Sequence, residues 1–135
     1  MKIKFNSTAS KTVFEHRRSE TVITVERISS GALITLNDSD DGSASFEINS
    51  REELDQLKAM LPTLENYREK INRGFCDEYS VLSIYRDTYG DPFEECIQFT
   101  ISAANPDTPW SEPSLSASLS FADRQRFLDT IALSI

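Results

Sequence analysis

The fold is decided by the stretch SASFEINSREELDQLKAML, residues 43–61. From Ala44 to Asn49, apolar and polar side chains alternate, which is typical of a strand that buries one face. Ser50 and Glu53 then match a capping box, in which each side chain accepts a hydrogen bond from the other residue's backbone amide. Leucines follow at helical spacing until Pro62, which breaks a helix. The stretch therefore predicts a strand that leads directly into a helix.

The same pattern returns near the C-terminus. Between Ser114 and Leu119 leucine and alanine alternate with serine, and Ser120 with Asp123 repeats the capping box seventy positions after Ser50. Two units of similar plan therefore follow one another, as pseudo-repeats at approximately 20–62 and 78–135. The predicted fold class is α+β: two consecutive βββα units, with antiparallel sheets and with the helices packed on one face.

Further strands are expected wherever apolar and polar residues alternate. They are predicted at residues 12–18 (mostly exposed), 21–28, 32–37, 79–87 and 95–103. A linking helix is predicted at approximately 63–73, where Glu65 with Arg68 and Glu69 with Arg73 can form ion pairs before Gly74. A chain of 135 residues is expected to fold as a single domain, residues 1–135.

Charge divides the chain into two unequal halves. Residues 1–73 carry 11 basic and 12 acidic side chains, whereas residues 74–135 carry 3 basic and 10 acidic ones. A surface of that sign repels nucleic-acid phosphates and anionic lipid, and it attracts basic proteins. The partner is therefore expected to be a basic protein, with nucleic acid unlikely and no membrane association. Solubility alone also explains an acidic surface.

The most conspicuous exposed segment is predicted at residues 104–113, where three prolines stiffen the chain around Trp110, the only tryptophan. A rigid loop that presents an aromatic side chain among acids suits a binding hot spot. The alternative is that Trp110 folds back over a sheet edge. The predicted partner-binding residues are Trp110, Asp107, Glu112, Asp77, Glu78, Asp87, Asp91, Glu94 and Glu95.

Residues suited to catalysis or metal binding are few. His16 is the only histidine, Cys76 and Cys96 are far apart in the sequence, and the glycines stand singly rather than in a phosphate-binding loop. The aspartates of residues 38–41 resemble a calcium loop, but Gly42 comes fifth and Asn49 occupies the twelfth position. No catalytic residue, metal or cofactor is predicted, and the protein is not expected to be an enzyme.

The sequence therefore favours a small acidic binding or inhibitor protein that masks a basic protein surface. An immunity protein that neutralises a cationic nuclease toxin, or a phage-type inhibitor that mimics nucleic-acid charge, fits this profile. The N-terminus, MKIKFNST, lacks the apolar run of a signal peptide, so a cytoplasmic location is expected.

Two alternatives belong to other classes. Repeated sheet-and-helix units resemble, at the level of architecture, PUR-repeat and Whirly-type proteins, which implies binding of single-stranded nucleic acid. The aromatic residues Phe5, Phe14, Tyr85 and Tyr89 are candidates for stacking on bases. The small acidic profile also resembles type III secretion chaperones, which implies a homodimer, although those open with a helix.

Overall fold

The computed structural model describes residues 11–16, 21–39, 42–63, 70–72, 80–89, 94–103 and 114–135. Within these residues the chain forms eight strands and two α-helices. The strands are β1 (Lys11–Glu15), β2 (Thr21–Ile28), β3 (Gly31–Asp38), β4 (Gly42–Ile48), β5 (Lys70–Asn72), β6 (Ser80–Tyr89), β7 (Glu94–Ala103) and β8 (Ser114–Ser120). The helices are α1 (Arg51–Met60) and α2 (Arg124–Ala132).

The strands form two antiparallel sheets of four strands each. Sheet 1 has the order β1-β2-β3-β4, and sheet 2 has the order β5-β6-β7-β8. Within each sheet, every strand pairs antiparallel with its neighbours in the chain, and each helix follows the last strand of its sheet. The predicted α+β class with antiparallel sheets is therefore confirmed.

The predicted three-strand units are not confirmed, because each sheet contains a fourth strand. In sheet 1 the addition is β1, which pairs with β2 along its whole length. In sheet 2 it is β5, which lies where the end of a linking helix at 63–73 was expected. At the end of a helix, backbone N–H and C=O groups lack hydrogen-bond partners, whereas pairing of Ile71 with Ser83 provides them. Contacts with β6 therefore outweigh the local helical pattern. Residues 64–69 of that predicted helix lie outside the described residues.

The junction between β4 and α1 follows the prediction closely. Ser50 is the N-cap, and its Oγ accepts a hydrogen bond from the Glu53 amide at 3.1 Å. The returning bond is displaced by one residue, since Glu53 Oε1 accepts from the Asn49 amide at 2.8 Å. The helix ends at Met60, before Pro62. Local sequence thus predicts where this helix begins and ends.

The second junction forms only half of its capping box. Ser120 Oγ accepts from the Asp123 amide at 3.3 Å, at the start of a short 3-10 turn, Phe121–Asp123, that precedes α2. The carboxylate of Asp123 instead pairs with Arg126 at 3.3 Å. The side chain of Asp123, which is shorter than that of glutamate, thus pairs with a residue of the helix that it precedes.

A single cluster of buried apolar side chains includes residues of both sheets and both helices. Its centre is Phe127 of α2, whose ring meets Phe14 of β1 and Phe99 of β7 edge to face, with centroids 5.5 and 5.6 Å apart. All three rings are fully buried. Because edge-to-face contact is a favoured aromatic geometry, Phe127 couples sheet 1 to sheet 2.

The two helices are joined by Arg124, the first residue of α2. Its guanidinium donates to the carbonyl oxygens of Pro62 at 3.1 Å and Leu61 at 3.4 Å. The C-terminal end of a helix leaves carbonyls without partners, and a cation is favoured there by the helix dipole. Arg124 therefore closes the end of α1 from the beginning of α2.

The turn between β2 and β3 requires glycine at position 31. Gly31 has a φ of +151°, and a Cβ built on it would lie 2.3 Å from the carbonyl oxygen of Ile48. Gly42, at the start of β4, also has a positive φ, +93°, but a Cβ there would meet nothing within 4 Å. The two glycines thus share a backbone constraint and differ in available space.

This difference gives a stability test with a built-in control. Gly31→Ala is expected to lower the free energy of unfolding by about 3 kcal/mol or more, because backbone strain and a clash with backbone act together. Gly42→Ala should cost about 1 kcal/mol from the unfavourable φ alone. Urea unfolding of both variants measures the comparison. Equal losses would show that the close approach between Gly31 and Ile48 is absent in solution.

Candidate protein-binding surface

The predicted partner-binding residues fall unevenly within the structure. Side-chain positions are described for two of them, Asp87 of β6 and Glu95 of β7. Glu94 is the first residue of β7, and only its backbone is described. Outside the described residues lie Asp77, Glu78, Asp91, Asp107, Trp110 and Glu112. The predicted hot spot at Trp110 thus stays a prediction.

The two described acids lie on opposite faces of sheet 2. Asp87 is exposed and stands opposite Cys96, on the face of sheet 2 opposite to Ile97 and Phe99, which we call the outer face. Glu95 shares a face with Ile97 and Phe99, which are fully buried, because alternate residues of a strand point the same way. One continuous acidic surface therefore cannot include both side chains.

Glu95 is bound by a cation. Its carboxylate forms an ion pair with Arg86, and the side chains of Arg86 and Glu95 are 9% and 37% exposed. The guanidinium of Arg86 also lies 6.0 Å from the ring centre of Phe121. A part-buried charge pair of this kind fixes local structure, so Glu95 holds Arg86 in place at the edge of the core.

The sequence alone did not reveal that Arg86 and Glu95 form an ion pair. The signal lies in the strand register, since Arg86 pairs with Ile97 and Glu95 precedes Ile97 by two residues on the same face. A diagonal neighbour of this kind is within reach of a long side chain. The register between β6 and β7 becomes visible only when the strands are paired, so the contact could not be read from spacing alone.

All three basic side chains of residues 74–135 make internal contacts. Arg86 pairs with Glu95, and Arg124 binds backbone carbonyls at the end of α1. Arg126 pairs with Asp123, and its guanidinium lies 4.3 Å from the ring centre of Phe14. Within the described residues Arg86 and Arg126 each offset a carboxylate, whereas the sequence of residues 74–135 has ten acids against three bases.

The outer face of sheet 2 is polar but uncharged around its middle rows. Thr100 Oγ1 lies 2.8 Å from Ser116 Oγ, and Ser118 Oγ donates to Gln98 Oε1 at 2.7 Å. The amide of Ser118 also donates to Thr21 Oγ1 at 3.2 Å, which ties β8 to the start of β2. These hydroxyl groups therefore hold neighbouring strands together.

The remaining chemical candidates are placed as follows. His16 and Cys96 are both buried, 3% and 1% exposed. No three His, Cys, Asp or Glu residues in the described part of the chain come together as a metal site. Phe14 lies in the core, so its predicted role in stacking on bases is wrong, because alternation along β1 turns it inward. Tyr85 is half-buried on the outer face of sheet 2.

Comparisons of the chain with protein-family models, with curated proteins and with solved structures found no match. Neither α1 nor α2, the helices within the described ranges, is long and apolar enough to cross a bilayer.

Exchange of Glu95 for glutamine tests its internal role. Glu95→Gln removes the negative charge that pairs with the part-buried guanidinium of Arg86, so we expect a loss of about 2 kcal/mol in the free energy of unfolding. The matched control is Asp55→Asn, which breaks an exposed pair with Arg51, 3.8 Å long and with side chains 65% and 75% exposed. That change should cost less than about 0.5 kcal/mol. If both variants lose similarly little free energy of unfolding in chemical denaturation, Glu95 has no structural role.

Proposed function

We propose that this chain is a non-enzymatic acidic binding protein that masks a basic surface of another protein in the cytoplasm. An immunity protein that neutralises a cationic toxin, or an inhibitor that mimics nucleic-acid charge, works in this way. The observation that carries the proposal is the internal use of Arg86, Arg124 and Arg126. Residues 74–135 carry ten acids and three bases, which is −7 of the net charge of −8, and all three bases serve the fold.

The proposal assigns two roles to the contact residues. Trp110 is the anchor, since a large aromatic side chain on a proline-stiffened segment binds with little loss of conformational freedom. The carboxylates steer the partner during approach, with Glu95 contributing least because Arg86 compensates it. The steering residues are Asp77, Glu78, Asp87, Asp91, Glu94, Asp107 and Glu112.

A pair of charge-matched variants tests the assignment. The test variant combines Asp91→Asn, Asp107→Asn and Glu112→Gln; the control combines Glu15→Gln, Glu26→Gln and Glu47→Gln on the outer face of sheet 1. Both raise the net charge by three units. Immobilised wild type and control should retain the same basic protein from the native cytosol at low salt, whereas the test variant should lose it.

Kinetics with the retained protein then separates steering from anchoring. The association rate constant of wild type should fall by about tenfold or more as salt rises, and the test variant should start near the screened value. Trp110→Ala should chiefly speed dissociation, by about thirtyfold or more for a hot-spot residue. Equal retention of both triple variants, or an association rate independent of salt, would contradict the proposal.

The second candidate is a protein that binds single-stranded nucleic acid, with an architecture like that of PUR-repeat and Whirly-type proteins. The observation in its favour is that each four-stranded sheet is followed by its own helix, twice along the chain. The negative net charge opposes it, and burial of Phe14 removes one of its stacking residues.

Filter binding of a labelled single-stranded oligonucleotide at low salt decides between the two candidates. A nucleic-acid binder should bind with a dissociation constant of about 100 μM or tighter, because nonspecific phosphate contacts strengthen as salt is lowered. An acidic masking protein should show no retention under the same conditions.

A further inference from the structure

A shallow groove runs between α1 and α2 on the side of the helices away from the core. Leu54 and Leu128 form its buried floor, and its volume is about 130 Å³. Its remaining lining residues are Arg51, Asp55, Lys58, Gln125, Asp129 and Ala132. A space of this size is too small for most organic ligands, which occupy pockets of several hundred Å³.

We call the surface formed by the eight lining residues the helix-pair face. Its charges sum to zero, but they are divided unevenly between the two helices. On the α1 side Arg51 and Lys58 flank Asp55, which gives one net positive charge. On the α2 side Asp129 is the only charged lining residue, and its carboxylate accepts from Gln125 at 2.8 Å. The face is thus neutral in sum on a molecule of charge −8, and its two halves are complementary to each other.

We propose that a second copy of this chain docks on the helix-pair face, with α1 of each copy lying on α2 of the other. A two-fold interface brings residue i onto residue j and residue j onto residue i, so it needs a self-complementary surface. The α1 cations then meet Asp129 of the second copy on both sides of the axis. A strongly basic partner is less suited to this face, because Arg51 and Lys58 would repel it.

The size of the face limits the strength of this dimer. The two helices are nine and ten residues long, or about 15 Å, and side by side they span about 20 Å. Each copy therefore buries roughly 300 Å², or about 600 Å² in total, which is less than a stable interface needs and restricts the dimer to a weak, transient contact. We expect a dimer that forms at micromolar or higher concentration. This inference does not depend on the proposed basic partner.

A charge exchange across the interface tests it. One variant carries Arg51→Glu with Lys58→Glu, and the other carries Asp55→Lys with Asp129→Lys. Each variant alone places like charges on both helices, so its dimer dissociation constant in sedimentation equilibrium should rise at least about tenfold. A mixture of the two variants should restore association, because opposite charges then face each other. Thermal unfolding of each variant confirms that it is folded.

The control for overall charge is Lys11→Glu with Arg27→Glu, which makes the same change at exposed positions of sheet 1. Its association should stay within about threefold of wild type, allowing for long-range repulsion. A wild type that is monomeric up to about 1 mM overturns the proposal. So does a dimer that both helix variants leave intact, and so does a mixture that fails to associate.

Discussion

The structure depends on one ring, that of Phe127. It contacts Phe14 of sheet 1 and Phe99 of sheet 2 edge to face. A single side chain of α2 therefore packs against both sheets, which come from the two halves of the chain. Each such pair contributes about 0.5–1.5 kcal/mol beyond the burial of its surface. Arg126, one residue earlier, covers the ring of Phe14, and Arg124 binds the end of α1. Helix α2 therefore contacts both sheets and the end of α1.

That role of α2 has a consequence for the surface. The arginines that anchor α2, together with Arg86 in sheet 2, make internal contacts with backbone, two aromatic rings and two carboxylates. The fold thus uses all three cations of residues 74–135, where the sequence has ten acids. The proposed affinity for a basic partner rests on this excess of acidic over basic residues. The balanced charges between α1 and α2 are the basis of the proposed docking of a second copy.

Local sequence predicted the parts of the fold that local interactions determine. Alternation and capping placed β4, α1, β7 and β8 within about two residues of their observed bounds, because each needs only its own neighbours. The short strand β5 was missed, since Lys70–Asn72 becomes a strand only by pairing with β6. The Arg86–Glu95 pair was missed for the same reason: it needs the register between two strands. The role of Trp110 rests on its sequence context alone.

Native-state hydrogen exchange on Phe127→Leu, which keeps an apolar side chain but removes both ring contacts, measures whether this ring couples the two sheets. If Phe127 couples the sheets, the slowest amides of β3 and β7 should lose the same free energy of opening, about 1–2 kcal/mol. Loss of protection in β7 with β3 unchanged would contradict the claim that the two sheets form one cooperative core.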